Sequence, residues 1–340
     1  MSAPSAARYR PARAPTLHFI GVSTSGSSIM QVFPAWARYL GLDDARIGGI
    51  DFPLQAEPAA YREAVEYIKH DPLSVGALIT THKLDLFDAA KALFDQIDPL
   101  AEMMGETSCL SKRDGRLVCH AKDPITSGLA IDGFLEPGHF ADTGAELFSM
   151  GAGGSTIALS WYLMRPERGA DRPSRIVVSD PVASRLDVIR RIHQGIGGDV
   201  PVEYVLADGT HANDAVLATL RPGSLVVNAT GLGKDGPGSP LSDRATFPES
   251  AVVWELNYRG ERLFLAQARS QAETGALAVH DGWSYFIHGW TQVIAEVFDI
   301  EIDASPDSVR QLTEIALEAT GTASTGPIIN PTAPVTTDPG

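Results

Sequence analysis

Met150-Gly151-Ala152-Gly153-Gly154-Ser155-Thr156 follows the apolar run Glu146–Met150 and opens the helix-length run Thr156–Met164. Glycines placed between a strand and a helix permit a tight turn and a close backbone approach to a pyrophosphate. The helix N-terminus then favours the phosphate charge. The stretch therefore reads as a strand–loop–helix dinucleotide site made by Gly151, Ala152, Gly153, Gly154 and Ser155, with a plain βα turn as the alternative. The next strand, Arg175–Ser179, ends at Asp180. An acidic residue there hydrogen-bonds the ribose hydroxyls and repels a 2′-phosphate, which selects NAD over NADP. The separation from Gly151 exceeds the usual ~20 residues. A surface loop at Arg165–Ser174 takes up the excess. Asp180 also reads as a cap of the following helix, Arg185–His193, and the two roles are compatible. Arg185 falls inside that helix, which weighs against NADP.

Outward from the loop, Glu203–Leu206, Ser224–Asn228 and Ala251–Leu256 read as strands and Ala212–Leu220 as a helix. The N-terminal half repeats the pattern: strand Leu17–Val22, helix Gln31–Leu40, helix Ala59–His70, strand Val75–Thr80 and helix Leu84–Phe94. Strand and helix in alternation predict an α/β fold with parallel sheets covered on both faces. Gly133, Pro137, Gly138 and Gly144 mark a boundary near 128–145. Two helices close the chain, Trp283–Phe298 and Pro306–Thr320, the second with Ser305 as N-cap and Pro306 at its first position. The expected organisation is an N-terminal α/β substrate-binding and catalytic domain at 16–127 and a Rossmann-like domain at 128–265. Helices at 266–320 are expected to return to the first domain, between flexible ends at 1–15 and 321–340.

The chain has 340 residues, 44% hydrophobic and 20% charged, with a formal net charge of −15. That apolar share excludes wholesale disorder. The absence of an apolar run of about 18 residues excludes a transmembrane helix. The negative balance opposes nucleic acid and anionic membrane surfaces, leaving a small-molecule substrate as the expected partner, with a homodimer left open. Arg8, Arg10 and Arg13 form the one obvious basic cluster. Cys109 and Cys119 lack zinc-site spacing and are too few for a disulfide framework, so no metal is expected. Met1–Pro15 lacks the apolar core of a secretion signal, and a cytoplasmic setting is expected, with a short organelle transit peptide as the alternative.

Lysines are scarce, six in all, and one stands directly after a strand in Thr80-Thr81-His82-Lys83. Asp123 follows the short strand-like run Val118–Ala121. Ligands of open α/β sheets collect at the carboxyl ends of strands, so both residues are placed to face one site. At this point the sequence resembles the shikimate/quinate dehydrogenase family across about residues 16–300. Ala77–Lys83 resembles its Asn-Val-Thr-x-Pro-x-Lys motif, and Gly105–Cys109 with Asp123 resembles Gly-Ala-x-Asn-Thr and the later Asn-Thr-Asp. Gly151–Ser155 matches the nucleotide loop, and Asn228–Gly233 resembles Asn-x-Thr-x-x-Gly. Glu255–Tyr258 and Asp281–Phe298 resemble the closing segments.

The resemblance implies reversible NAD(P)-dependent oxidation of a ring hydroxyl to a ketone, with Lys83 as acid/base and Asp123 as its orienting partner. It implies cofactor contacts from Asn228, Thr230, Gly233 and Gly282, and substrate contacts from Ser108, Tyr258 and His288. It also implies a serine pair, in one register Ser25 and Ser27, in the other Ser27 with Ile29 in the second place. Departures are concentrated in the substrate pocket. Ala77, Ile79 and Ser108 stand at polar positions of the family, His288 replaces a glutamine, and Asp180-Pro181-Val182 replaces a phosphate-gripping Asn-Arg-Thr. The expected substrate is a shikimate- or quinate-like hydroxy acid or a cyclitol. A ligand-sensing module and a different dehydrogenase of the same superfold, such as a folate-linked one, are the alternatives.

Overall fold

The computed structural model describes residues 9–233 and 236–321, so the expected flexible ends fall largely outside the described residues. The first half runs β1 (Thr16–Gly21), α1 (Ile29–Tyr39), β2 (Arg46–Asp51), α2 (Pro58–His70), β3 (Ser74–Ile79) and α3 (Lys83–Ala90). It continues through β4 (Gln96–Ile97), α4 (Pro99–Met104), β5 (Cys109–Arg113), β6 (Arg116–His120) and α5 (Asp123–Asp132). After the short α6 (His139–Thr143) come β7 (Leu147–Met150), α7 (Gly154–Met164), β8 (Ile176–Asp180), α8 (Ala183–Ile196), β9 (Val202–Leu206) and α9 (Thr210–Leu217). The chain ends with β10 (Leu225–Asn228), β11 (Val252–Glu255), α10 (Leu263–Ser270), α11 (Ala272–Gly275), β12 (Ala278–His280), α12 (Trp283–Phe298) and α13 (Pro306–Thr320).

Two six-stranded sheets result. The second has the order β12-β11-β10-β7-β8-β9, with every pairing parallel. Its strand order reverses between β7 and β10, the crevice where doubly wound sheets bind dinucleotides. β7, β8, β10 and β11 are buried along their whole length, which is why they read as unbroken apolar runs rather than alternating ones.

The first sheet has the order β2-β1-β3-β5-β6-β4 and departs from the all-parallel expectation. β3 pairs antiparallel with β5, and β5 with β6. The cause is local: Asp114 (φ 49°) and Gly115 (φ 76°) both adopt positive φ, forming the two-residue turn that joins β5 to β6 as a hairpin.

Helix start and stop signals account for the neighbours of these strands. α2 begins with Pro58 and buries Tyr61, Ala64, Val65 and Ile68, one helical stripe against the first core. The Asp98 carboxylate caps α4 by accepting from the Leu100 and Ala101 amides. α12 and α13 pack with α1 in a separate cluster, in which the Trp36 Nε1–H donates to the Leu312 carbonyl at 2.9 Å. The last helices thus rest on the first sheet.

The expected boundaries differ from the structure at two points. Position 127/128 lies inside α5, where Gly128 packs so closely on Tyr162 that a Cβ would sit 2.3 Å from its ring. Position 265/266 lies inside α10, and β12 beyond it still belongs to the second sheet. The N-terminal segment also departs from the expected looseness. The Ala12 amide donates to Asp71 at 3.0 Å, and the Tyr67 hydroxyl donates to the Arg10 carbonyl at 2.9 Å. No described helix is long and apolar enough to cross a membrane.

Candidate active site

The turn after β3 carries Thr81 at φ 59°, a left-handed conformation rare for a β-branched residue. Strain of this kind persists only where the surroundings enforce it. Its effect is to start α3 at Lys83, whose carbonyl accepts from the Thr107 amide at 3.2 Å. Asp123 starts α5 directly after β6, so each residue stands just beyond a strand of the first sheet. The two side chains meet as an ion pair, Lys83 Nζ donating to Asp123 Oδ2, and are 18% and 11% exposed. Burial by itself lowers the Lys83 pKa. The charges of Asp123 and Glu106, with the Tyr285 phenol, outweigh that and raise it above the usual lysine value. The group is held as an ammonium.

Two members of this cluster were not singled out from sequence. Glu106 follows the left-handed Gly105 (φ 61°) at the end of α4 and is 1% exposed. Burial raises its carboxyl to about 7, against the lowering effect of Lys83. Tyr285, on α12, has its phenol pushed up by burial and then by Asp123, with Lys83 and Ser155 acting the other way. Glu106 stands where the family motif has alanine, and that departure was the available signal.

The glycine loop lies against the same cluster. A Cβ on Gly154 would meet Glu106 Oε2 at 2.9 Å and Lys83 Cδ at 4.0 Å. Gly151 has φ 99°, and its amide donates to the Ser179 carbonyl at 2.7 Å. A Cβ there would come within 2.6 Å of the Ala229 carbonyl oxygen, so the turn after β7 is pressed onto the loop after β10. Gly153 is the N-cap of α7 and offers no side chain to the first helical amides, and a Cβ built on it meets nothing within 4 Å. Uncapped amides in front of open space are what a pyrophosphate requires.

Asp180 is buried at the end of β8. Its carboxylate accepts from the Ala152 amide at 2.9 Å and the Val182 amide at 2.8 Å. The second bond is the helix-entry role weighed as the alternative, and the first ties the acid to the glycine loop. Arg185 lies inside α8 and close to this point, as its position in the sequence implied. Its Nη1 reaches to 4.0 Å from Asp180 Oδ2.

The other expected residues divide between loop scaffolding and packing. Asn228 Oδ1 accepts from the Thr230 amide and hydroxyl at 3.1 and 2.7 Å, and its Nδ2 donates to Glu255 at 2.8 Å. Glu255 is fully buried, which raises its carboxyl to about 7. The Gly233 amide donates to the Gly236 carbonyl at 2.7 Å. Gly282 caps α12, where a Cβ would stand 2.1 Å from the Leu256 carbonyl. Ser108 Oγ accepts from the Lys122 amide at 2.7 Å, so it braces the entry to α5. Ser27 is buried and Ser25 exposed. Thr24, between them and Gly21, is the residue bonded to Asp51, through its amide and hydroxyl at 2.9 and 2.6 Å. Tyr258 packs its ring 4.5 Å from Phe286 and 5.6 Å from Trp283. His288 is buried on α12, and burial lowers its pKa to about 4.

No family model matches the chain. Among curated relatives, it is 26% identical over 178 residues to a shikimate dehydrogenase (NADP(+)) of Lactococcus lactis subsp. cremoris, covering 52% of this chain and 59% of the relative. It is 26% identical over 252 residues to the enzyme of that name from Symbiobacterium thermophilum, covering 71% of this chain and 79% of the relative. The first of these alignments thus spans about three fifths of the relative's length. Among solved structures, quinate dehydrogenase from Corynebacterium glutamicum in complex with NAD superposes with a TM-score of 0.68 at 20% identity, covering 90% of this chain and 99% of that one. The two-sheet fold is therefore one shared with shikimate/quinate dehydrogenases, and the sequence is similar to shikimate dehydrogenases over part of their length.

Proposed function

We propose that this chain, a divergent member of the shikimate/quinate dehydrogenase family, is an NAD(P)-dependent oxidoreductase that reversibly oxidises a ring hydroxyl to a ketone. The observation that carries the reading is the buried Lys83–Asp123 pair set against the glycine loop of the second sheet. The uncapped start of α7 at Gly153 fits a dinucleotide pyrophosphate, and Asp180, tied to the same loop at the end of β8, would meet the ribose. When bound, a nicotinamide supplies the hydride acceptor.

The protein's own task is the proton. Lys83 Nζ, held as an ammonium, donates to the developing alkoxide oxygen when a ketone is reduced. In the other direction, Nζ must first lose a proton before it accepts the one leaving the hydroxyl, so oxidation speeds up toward alkaline pH. Asp123 fixes the direction of Nζ and balances its charge. Cofactor choice follows from Asp180, whose carboxylate repels a 2′-phosphate and favours NAD.

The test is a screen for NAD and NADP reduction over cyclic hydroxy acids, cyclitols and aminocyclitols. The expected result is turnover with at least one ring alcohol and a kcat/KM for NAD above that for NADP. Removing the Asp180 carboxylate by Asp180→Ala frees Arg185 and moves the preference toward NADP. Ligand binding without hydride transfer across the panel would refute the catalytic reading, and a wild-type preference for NADP would refute the role of Asp180.

A further inference from the structure

Glu106 and Tyr285 are the residues of the Lys83 cluster that the acid/base step leaves unused, and Glu106 is the one that carries a carboxyl. Both of its carboxyl oxygens are buried and have no hydrogen-bond partner. A buried acceptor without a donor is costly, and native structures leave such groups where a ligand or a function completes them. The groups around Glu106 come from four helices and one strand. Lys83 stands on α3, Asp123 on α5, Gly154 on α7, Tyr285 on α12 and Cys119 on β6. Lys83 brings a single positive charge, which Asp123 already balances. Adding Glu106 brings the local sum to zero or below, so this part of the cleft has no spare cation for a substrate carboxylate. A hydroxyl suits Glu106 in either protonation state: it donates to the ionised carboxylate, and it both donates to and accepts from the neutral acid. A pyrophosphate on the start of α7 favours the neutral form.

We infer that Glu106 is a specificity-determining residue that receives hydrogen-bond donors of the substrate, and that the substrate is a polyhydroxylated ring without a carboxylate. This rests on the dehydrogenase reading and narrows its substrate class. The positions that offer polar contacts in the family's motifs carry Ala77 and Ile79, both packed into the first core, so the polar contact has moved to Glu106. The hydroxyl that is oxidised faces Lys83, and a neighbouring hydroxyl faces Glu106.

The experiment compares kcat/KM for myo-inositol, an aminocyclitol, quinate and shikimate with NAD, in wild type, Glu106→Gln and Glu106→Ala. Calorimetric titration of each ring compound onto the protein with NADH present gives a readout apart from turnover. Wild type is expected to favour the carboxylate-free rings by a factor on the order of 10² or more, because a substrate carboxylate would meet the Glu106 and Asp123 carboxyls with no free cation to balance it. Glu106→Ala is expected to lose most of that discrimination and to raise KM more than it lowers kcat. Glu106→Gln retains an acceptor and keeps carboxylate-free turnover within about tenfold, which separates lost recognition from lost folding. An aminocyclitol preferred over myo-inositol supports the same donor chemistry with an ammonium as the donor. A wild-type preference for quinate or shikimate overturns the inference and leaves the dehydrogenase reading standing, as does unchanged discrimination in Glu106→Ala. No turnover of any ring alcohol, with NAD bound, overturns both.

Discussion

Replacing Lys83 by methionine keeps an unbranched side chain, one heavy atom shorter, and removes the charged Nζ, leaving Asp123 as a carboxylate without its ion-pair partner. Both side chains are less than one fifth exposed, so the pair falls in the class for which removing one partner costs about 3–5 kcal/mol. The residual exposure puts the expectation at the lower end. For a chain of this size, with an unfolding entropy of about 0.7 kcal/mol/K, that is a fall in Tm of about 4 °C. The accompanying loss of acid/base catalysis is a factor on the order of 10²–10⁴ in turnover, or roughly 2.7–5.4 kcal/mol in the barrier. Folding and chemistry are separated by the double variant Lys83→Met, Asp123→Asn. With the charge removed from both sides, most of the lost Tm returns and turnover does not. The assays are differential scanning calorimetry, titration of NAD, and initial rates with the substrate found in the screen. NAD affinity is expected to stay within about threefold, since the proposed pyrophosphate site is made of α7 amides and not of Lys83. A single variant that keeps turnover within tenfold of wild type, or a double variant that regains it, refutes the assignment of Lys83.

Gly151→Ala places a Cβ 2.6 Å from the Ala229 carbonyl oxygen at φ 99°, so a loss of about 2–4 kcal/mol in urea unfolding is expected. A loss below about 0.5 kcal/mol would mean that the β7 turn is not pressed onto the β10 loop. Stability should also peak near pH 6.5. Burial lowers His18, His193, His280 and His288 to about 4, so their contribution is full above the unfolded histidine value and is lost as pH falls toward 4. Glu106 and Glu255, raised to about 7, contribute fully below the unfolded value of 4.5 and lose that contribution as pH climbs through 7. Four groups oppose two between pH 4.5 and 6.5, giving a net gain on the order of 2 kcal/mol per pH unit, and above it the two carboxyls reverse the slope. Denaturant midpoints at pH 5, 6.5 and 8 measure this, and a steady rise through pH 8 would contradict it.

The second sheet was legible because its signals are local. β7, the glycine loop and α7 are contiguous, and fully buried parallel strands advertise themselves as apolar runs. The first sheet was harder for two reasons. β2, Arg46–Asp51, carries Gly48 and Gly49, which remove the β-branched signature. Gly49 is needed there because a Cβ would stand 2.0 Å from the Thr24 hydroxyl. The β5–β6 hairpin did leave a readable mark in Asp114-Gly115, and Val118–Ala121 read as strand-like, but β5 mixes charged and apolar residues and gave no strand signal of its own. Lys83 and Asp123 were legible as strand-end residues, since each needs only its own strand to place it. Glu106 was not. Its importance comes from what α3, α5 and α7 bring to it, and no spacing within one segment encodes that.

The same distinction explains why several residues implied by the family pattern turn out to hold the scaffold. A hydroxyl or amide is available to a ligand only if the fold does not already use it. Ser108 is taken up by the Lys122 amide, and Asn228 by Thr230 and Glu255. Ala77 and Ile79 have no polar group and are enclosed by the first core, so those two positions offer a ligand no polar contact of their own. The polar groups left facing the Lys83–Asp123 pair are the Glu106 carboxyl and the Tyr285 phenol, on α4's exit and on α12. Both belong to segments that reach the cleft only once the chain has closed on itself. The proposed substrate recognition thus depends on tertiary approach, while the proposed acid/base pair and dinucleotide loop depend on strand ends, and that is why the sequence pointed to a reaction class before it pointed to a substrate.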